Sequence, residues 1–230
     1  MKNHPLLFVP VAAAVILTVS HPALANPVEE VQVSNNVFQD LVRGTADQRI
    51  PPEILRNAQG IAILTNVTRG GFFLFGGRRG DGTLLVRNQT GGWSNPVFIN
   101  ITGGNFGPQF GVSSTDIILV FMNRESIDRL LREPLDLGGS ISVAAGPVGG
   151  NVVSPVADPS PNIYAYSRSE GLFAGVTLSG SKVSYDARDT ARFYGRSVTP
   201  QEVFTGQVPT PPGAVALRST LDQYGAAALR

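Results

Sequence analysis

Glycine is the most frequent residue of this chain, 26 of 230. It falls within and between runs that otherwise read as β-strands. Residues 61–64, 72–75, 83–86, 97–101 and 117–121 are rich in Ile, Val, Leu and Phe, and Gly70-Gly71, Gly76-Gly77 and Asp81-Gly82 punctuate them. Glycine weakens a strand and is kept there at bulges, kinks and close backbone approaches. Many glycine-broken strands in a small domain therefore predict strong curvature, and curling into a closed or nearly closed barrel hides the sheet edges. The expected fold is α+β and β-dominated: a strongly curved, mainly antiparallel, glycine-rich sheet or barrel-like core with a few flanking helices. Glycine-rich loops around a flatter sheet are the competing reading.

The helices announce themselves by their ends. Asn26-Pro27 reads as a cap followed by proline at the first helical position. Glu29 and Glu30 suit the positive end of the dipole, and Val31, Phe38, Leu41 and Val42 share one face. A short helix is expected from Pro51 or Pro52 to Gly60, and another from an Asn123 cap, with Ile127, Leu130 and Leu131 as its stripe and Pro134 as its stop. Asp186 with Asp189 resembles a capping box for a helix through Phe193 that Gly195 closes. Residues 208–213 read as a proline-rich linker and residues 214–229 as a last helix.

The N-terminus reads as an export signal. Lys2 precedes an apolar run from residue 6 to 19, and Ala23-Leu24-Ala25 is a small-x-small cleavage site. A membrane anchor is the alternative reading, but the run is shorter than the ~20 residues a spanning helix needs. Residues 1–25 are expected to be removed, and the mature protein to work in the periplasm or cell envelope. No cysteine follows the run, so a lipid-modified N-terminus is not expected.

The chain has no cysteine, and both histidines, His4 and His21, lie in the signal segment. Ser-His-Asp and Cys-His catalysis are thereby excluded from the mature chain, as are zinc sites of histidine and cysteine. An enzyme using carboxylates alone would draw on Asp116, Glu125, Asp128, Asp136 or Glu170, but spacing sets no pair of them. No cofactor or metal is expected. Lys182 is the one lysine left in the mature chain, so arginine carries the positive charge. With a net charge of +1, no basic field points to nucleic acid.

The segment Arg69-Gly70-Gly71-Phe72-Phe73-Leu74-Phe75-Gly76-Gly77-Arg78-Arg79-Gly80-Asp81-Gly82 sets phenylalanines between arginines. Aromatic rings can enter a headgroup boundary while guanidinium holds phosphate. Arg69, Phe72, Phe73, Phe75, Arg78, Arg79 and Lys182 form the candidate lipid-contact set; a buried strand between two turns is the alternative. Arg79-Gly80-Asp81 reads as a turn. Trp93 is expected to cover the end of the core rather than to line a ligand mouth.

Five motifs in order carry a resemblance. They are Ile50-Pro51-Pro52-Glu53-Ile54-Leu55-Arg56-Asn57-Ala58-Gln59-Gly60-Ile61-Ala62, then Trp93-Ser94-Asn95-Pro96, Gly146-Pro147-Val148-Gly149, Tyr166-Ser167-Arg168-Ser169-Glu170-Gly171-Leu172-Phe173-Ala174-Gly175-Val176, and Phe193-Tyr194-Gly195. From about Val37 to Gly206 the chain resembles the SYLF domain family of lipid-binding domains. The resemblance implies a domain over residues 26–206 that binds anionic phospholipid or a membrane surface and is not an enzyme. An envelope scaffold or protein-interaction domain without lipid specificity is the alternative. Some eukaryotic relatives bind actin; with export expected, actin is taken here as an implausible partner.

Overall fold

The computed structural model describes residues 26–44, 49–139, 141–146, 161–169, 172–175, 178 and 180–226. The expected signal segment lies outside them, as do Pro147-Val148-Gly149, Glu170-Gly171 and Val176 of the five motifs. Residues 71–75, 105–112, 169, 172–175 and 226 are described in their backbone alone.

Two long strands dominate. Strand β1 (Gly60–Val86) and strand β2 (Val97–Phe121) form one antiparallel hairpin, in register from Gly60 opposite Phe121 to Leu84 opposite Val97, with irregularities at 64–67 and 73–75. Five separate strands were expected here. The glycine pairs end none of them, and Arg79-Gly80-Asp81 is strand, not turn. The reason is that the ribbon folds back on itself. A Cβ at Gly82 would stand 2.1 Å from the Ile63 carbonyl oxygen and 2.7 Å from Leu64 Cα, and one at Gly80 would stand 2.9 Å from Val67 Cα. Glycine serves this crossing by leaving room for backbone against backbone, not by stopping the strand.

The other edge of β2 is shared. Its first half pairs with β7 (Ser181–Tyr185), and its second half pairs with β5 (Ile163–Ser169). Strand β3 (Leu135–Leu137) joins β7; β4 (Val143–Ala145) and β6 (Leu172–Gly175) join β5, the β4–β5 pair being parallel. This mixed, mostly antiparallel sheet is nearly barrel-shaped, as expected.

Alternation along the strands feeds two cores. Leu64, Leu84, Ile99, Ile101, Leu119 and Val183 face inward, where α3 (Arg124–Arg132) adds Ile127 and Leu130 and α5 (Pro200–Phe204) adds Val203 and Phe204. Ile61, Ile63, Leu85, Ile118 and Val120 face outward and are covered by α1 (Pro27–Arg43), α2 (Pro52–Asn57) and α6 (Val215–Ala226). Each such side chain contributes about 1.5–3 kcal/mol by leaving water.

The caps behave as read. Asn26 accepts from Val28 N at 3.1 Å, Asn123 from Ser126 N at 2.9 Å, and Asp186 from Asp189 N at 2.9 Å. The last opens α4 (Ala187–Tyr194), which Gly195 ends at φ 67° in the left-handed region. Helix α1 is held between two layers. Phe38 and Leu41 are fully buried, Thr83 Oγ1 donates to Ser34 Oγ at 3.1 Å from the sheet, and Thr220 Oγ1 donates to Asn35 Oδ1 at 2.8 Å from α6. Helix α5 is a surprise. Thr199 and Glu202 make a reciprocal capping box at a position without a predicted helix.

Candidate functional site

Strand register gathers the predicted cations. Arg79 pairs with Thr102, Thr102 with Lys182, and Lys182 with Asp136, so these four share the outer face of β1, β2, β7 and β3. Arg78, on the opposite face, is paired with Gly103, which pairs with Ser181. With no side chain on Gly103, Arg78 Nη1 reaches across β2 to Ser181 Oγ at 3.0 Å. Half-burial, and Arg69 nearby, hold the Arg78 guanidinium below its usual pKa. Arg69 is exposed on β1, opposite Ser113. Phe72, Phe73 and Phe75 pair through their backbone with Phe110, Gln109 and Phe106 near the bend of the ribbon; their side chains lie outside the described set.

Arg78, Arg79 and Lys182 line an open groove of about 1320 Å³ between the start of α1 and the start of α4. Sequence reasoning missed its other half. Arg188 joins the cations, and Glu30, Asp81, Asp186 and Asp189 join them as acids, so four positive side chains face four negative ones. Glu30 Oε1 accepts from Thr65 Oγ1 at 2.7 Å. Burial pushes the Glu30 carboxyl above its ordinary range; the Thr65 bond opposes this, and Asp81, Asp116 and Asp189 add to it. Burial also raises Asp81, against the pull of Arg79. Among the described residues no group of three or more His, Cys, Asp or Glu is placed to hold a metal ion.

A second cleft, of about 840 Å³, opens beside Trp93. Arg87 forms its fixed wall. Its Nε donates to Ala58 O at 2.9 Å, Nη1 to Gly91 O at 2.7 Å and Nη2 to Leu55 O at 2.9 Å, and its guanidinium lies 4.6 Å from the Trp93 ring centroid. Trp93 is buried in the outer core, in the structural role expected for it. Arg124 lies 5.8 Å from the Phe204 ring, and Arg218 Nη1 donates to Thr210 Oγ1 at 2.8 Å. No local motif marks these three arginines, because β1, α3 and α6 bring them together from distant parts of the chain.

The motif at 166–176 is also more structural than its polar residues suggest. Tyr166 is fully buried, and burial drives its phenol pKa upward. Arg168 forms an ion pair with Asp40 and so ties β5 to α1.

Comparison with known proteins agrees with this architecture. A family model described as "Las17-binding protein actin regulator", Ysc84, matches residues 102–224. Protein YSC84 of Saccharomyces cerevisiae is 37% identical over 182 residues, which is 77% of this chain and 38% of that protein. LAS seventeen-binding protein 3 of the same yeast is 35% identical over 181 residues, 77% of this chain and 39% of its own length. The human SH3 domain-containing YSC84-like protein 1 is 29% identical over 211 residues, 89% of this chain and 61% of that protein. The chain thus matches well under half the length of its yeast relatives. These findings overturn the expectation that actin is an implausible partner. That exclusion rested on export inferred from residues 1–25, whereas the matching family is described as a Las17-binding protein and actin regulator, and one of the two yeast relatives is named for LAS seventeen binding. By those descriptions the family is one of binding proteins. From residue 102 to 224 by the family match, and over 77% of its length by its yeast relatives, the chain belongs to the Ysc84 family, the SYLF domain family.

Proposed function

We propose that the chain is a non-catalytic binding module that meets anionic phospholipid with the part of the sheet bearing Arg69, Arg78 and Arg79 on β1 and Lys182 on β7. The observation that carries this reading is the shared outward face of Arg79 and Lys182, one strand apart across Thr102, beside the bend that contains Phe72, Phe73 and Phe75. Guanidinium and ammonium side by side suit the phosphates of a lipid surface. The full reading includes export to the cell envelope through residues 1–25, which N-terminal sequencing of protein from fractionated cells tests. Flotation with phosphatidylglycerol vesicles against phosphatidylcholine vesicles tests the lipid contact. Each basic residue near an anionic surface contributes about 1 kcal/mol. Arg79→Gln with Lys182→Gln is therefore expected to weaken anionic-vesicle binding by about 2 kcal/mol, roughly 30-fold. Equal flotation with both lipids defeats the reading.

A second reading has a specific finding in its favour. The family description and the yeast names support a protein partner of the actin-regulatory kind. Co-sedimentation with actin filaments, with no retention on either vesicle, would select it.

A further inference from the structure

We propose that the cleft beside Trp93 is a separate binding site for a small molecule that carries a phosphate group. Three guanidinium groups line it, from Arg87, Arg124 and Arg218, and among the described residues no carboxylate lines it; Asp128 and Asp222 pair with Arg124 and Arg218 but are not lining residues. The groove at the other site has four acids among its lining residues beside its four cations, whereas this cleft has none among the described residues. Its volume of about 840 Å³ lies in the range of small-molecule sites, ~300–1,000 Å³.

The three arginines divide the work. Arg87 is locked by three backbone carbonyls and its stack on Trp93, so it supplies a fixed positive charge. Arg124 and Arg218 are held by fewer bonds: Arg124 Nη1 donates to Arg87 O at 3.3 Å, and Arg218 Nη1 to Thr210 Oγ1 at 2.8 Å. Their side chains are 41% and 37% exposed, and each faces a carboxylate one helical turn on, Asp128 at 3.6 Å and Asp222 at 3.8 Å. Both separations exceed a hydrogen bond, and exposed ion pairs of this kind contribute only about 0–1 kcal/mol, so the two carboxylates compete weakly with an entering anion. Asp222 is further committed through Oδ1, which accepts from Trp93 N at 2.8 Å. A phosphate offers several oxygens to forked donors arriving from different sides, which one carboxylate cannot match. Asn95 is part of the cleft's frame: it is buried, and its Nδ2 donates to Val208 O at 3.0 Å. The ligand chemistry the three guanidinium groups fit is that of a phosphate ester, either free or as the headgroup of a lipid.

Calorimetric titration of the full chain with glycerol 3-phosphate, and in parallel flotation with phosphatidylglycerol vesicles, tests the site. Glycerol 3-phosphate is expected to bind the wild type. Arg124→Gln with Arg218→Gln is expected to weaken it at least tenfold, while Arg79→Gln with Lys182→Gln leaves it unchanged. If only vesicle binding falls in the Arg124→Gln and Arg218→Gln variant, the site stands and its ligand is a lipid headgroup. A thermal melt of the variant matching the wild type shows that the loss is not unfolding, and Arg124→Lys with Arg218→Lys is expected to recover part of the affinity. The proposal is overturned if the wild type binds neither probe, or if neither probe is weakened by the cleft substitutions. Vesicle binding that is lost on changing Arg79 and Lys182 alone, with glycerol 3-phosphate still held, leaves both sites standing.

Discussion

The groove over β1, β2 and β7 and the cleft beside Trp93 are built from the same residue types to opposite electrostatic ends. In the groove, four cations meet four acids drawn from β1, α1 and the start of α4. In the cleft, the lining sets three arginines among amides, hydroxyls and two aromatic rings, and the acids that pair with two of them, Asp128 and Asp222, are not lining residues. Three of the groove's four cations, Arg78, Arg79 and Lys182, are attached to strands, and Arg188 to the start of α4. Arg87 in the cleft is itself part of the frame, joining β1 to α2 and to the turn before Trp93. A cluster of basic residues in the sequence therefore does not tell which acids will line the same surface; only the fold brings those in.

The sharpest way to break this comparison is to spoil the crossing beneath the groove. Gly82→Ala places a methyl 2.1 Å from the Ile63 carbonyl oxygen, inside backbone that has nowhere to go. It is expected to cost at least about 3 kcal/mol in urea denaturation. Arg87→Ala comes next. Losing three charged hydrogen bonds and the stack on Trp93 is expected to cost about 2 kcal/mol, and Arg87→Lys should recover little, because an ammonium cannot fork to three carbonyls.

Glu30→Gln probes the acid side of the groove. Burial and neighbouring carboxylates hold the folded Glu30 carboxyl above its ordinary range. The unfolded chain thus releases that proton first, and stability falls as pH rises through the carboxylate range. Glu30→Gln keeps an acceptor for Thr65 and removes the charge. A gain of about 1 kcal/mol, or about 2–4 °C in Tm, is expected at pH 8. At pH 3 the gain should vanish, because the wild-type carboxyl is then protonated in both states. The smallest effect belongs to Arg79→Gln. This exposed strand residue should leave stability within about 0.5 kcal/mol, so any change in vesicle flotation would report contact rather than folding.

Local chemistry was the legible part of the fold. Asn26-Pro27, Asn123 and the pair Asp186 and Gly195 each mark a helix end through groups within four residues, and each end is where those residues put it. Thr199-Pro200-Gln201-Glu202 carried an equally good signal for α5 that went unused. The long strands were not legible, because a glycine pair looks like a breaker until its neighbour across the fold is known. Gly80 and Gly82 belong to a strand only because residues 63–67 lie against them. The candidate groove was half visible. Arg78 and Arg79 stand together in the sequence, whereas Glu30 and Asp189 arrive on helices from opposite ends of the chain. The cleft was hidden altogether, since its arginines meet only after β1, α3 and α6 have packed.

Helix α6 has a practical consequence for anyone trimming the protein. Leu217 and Leu221 are fully buried beside Trp93 and Phe38, and Asp222 receives the Trp93 backbone N–H. A fragment stopped at residue 206, where the recognisable motifs run out, would strip the outer lid from the helix it protects. Such a fragment is expected to be sticky and to float with vesicles of any composition, mimicking lipid affinity through a wound rather than a site.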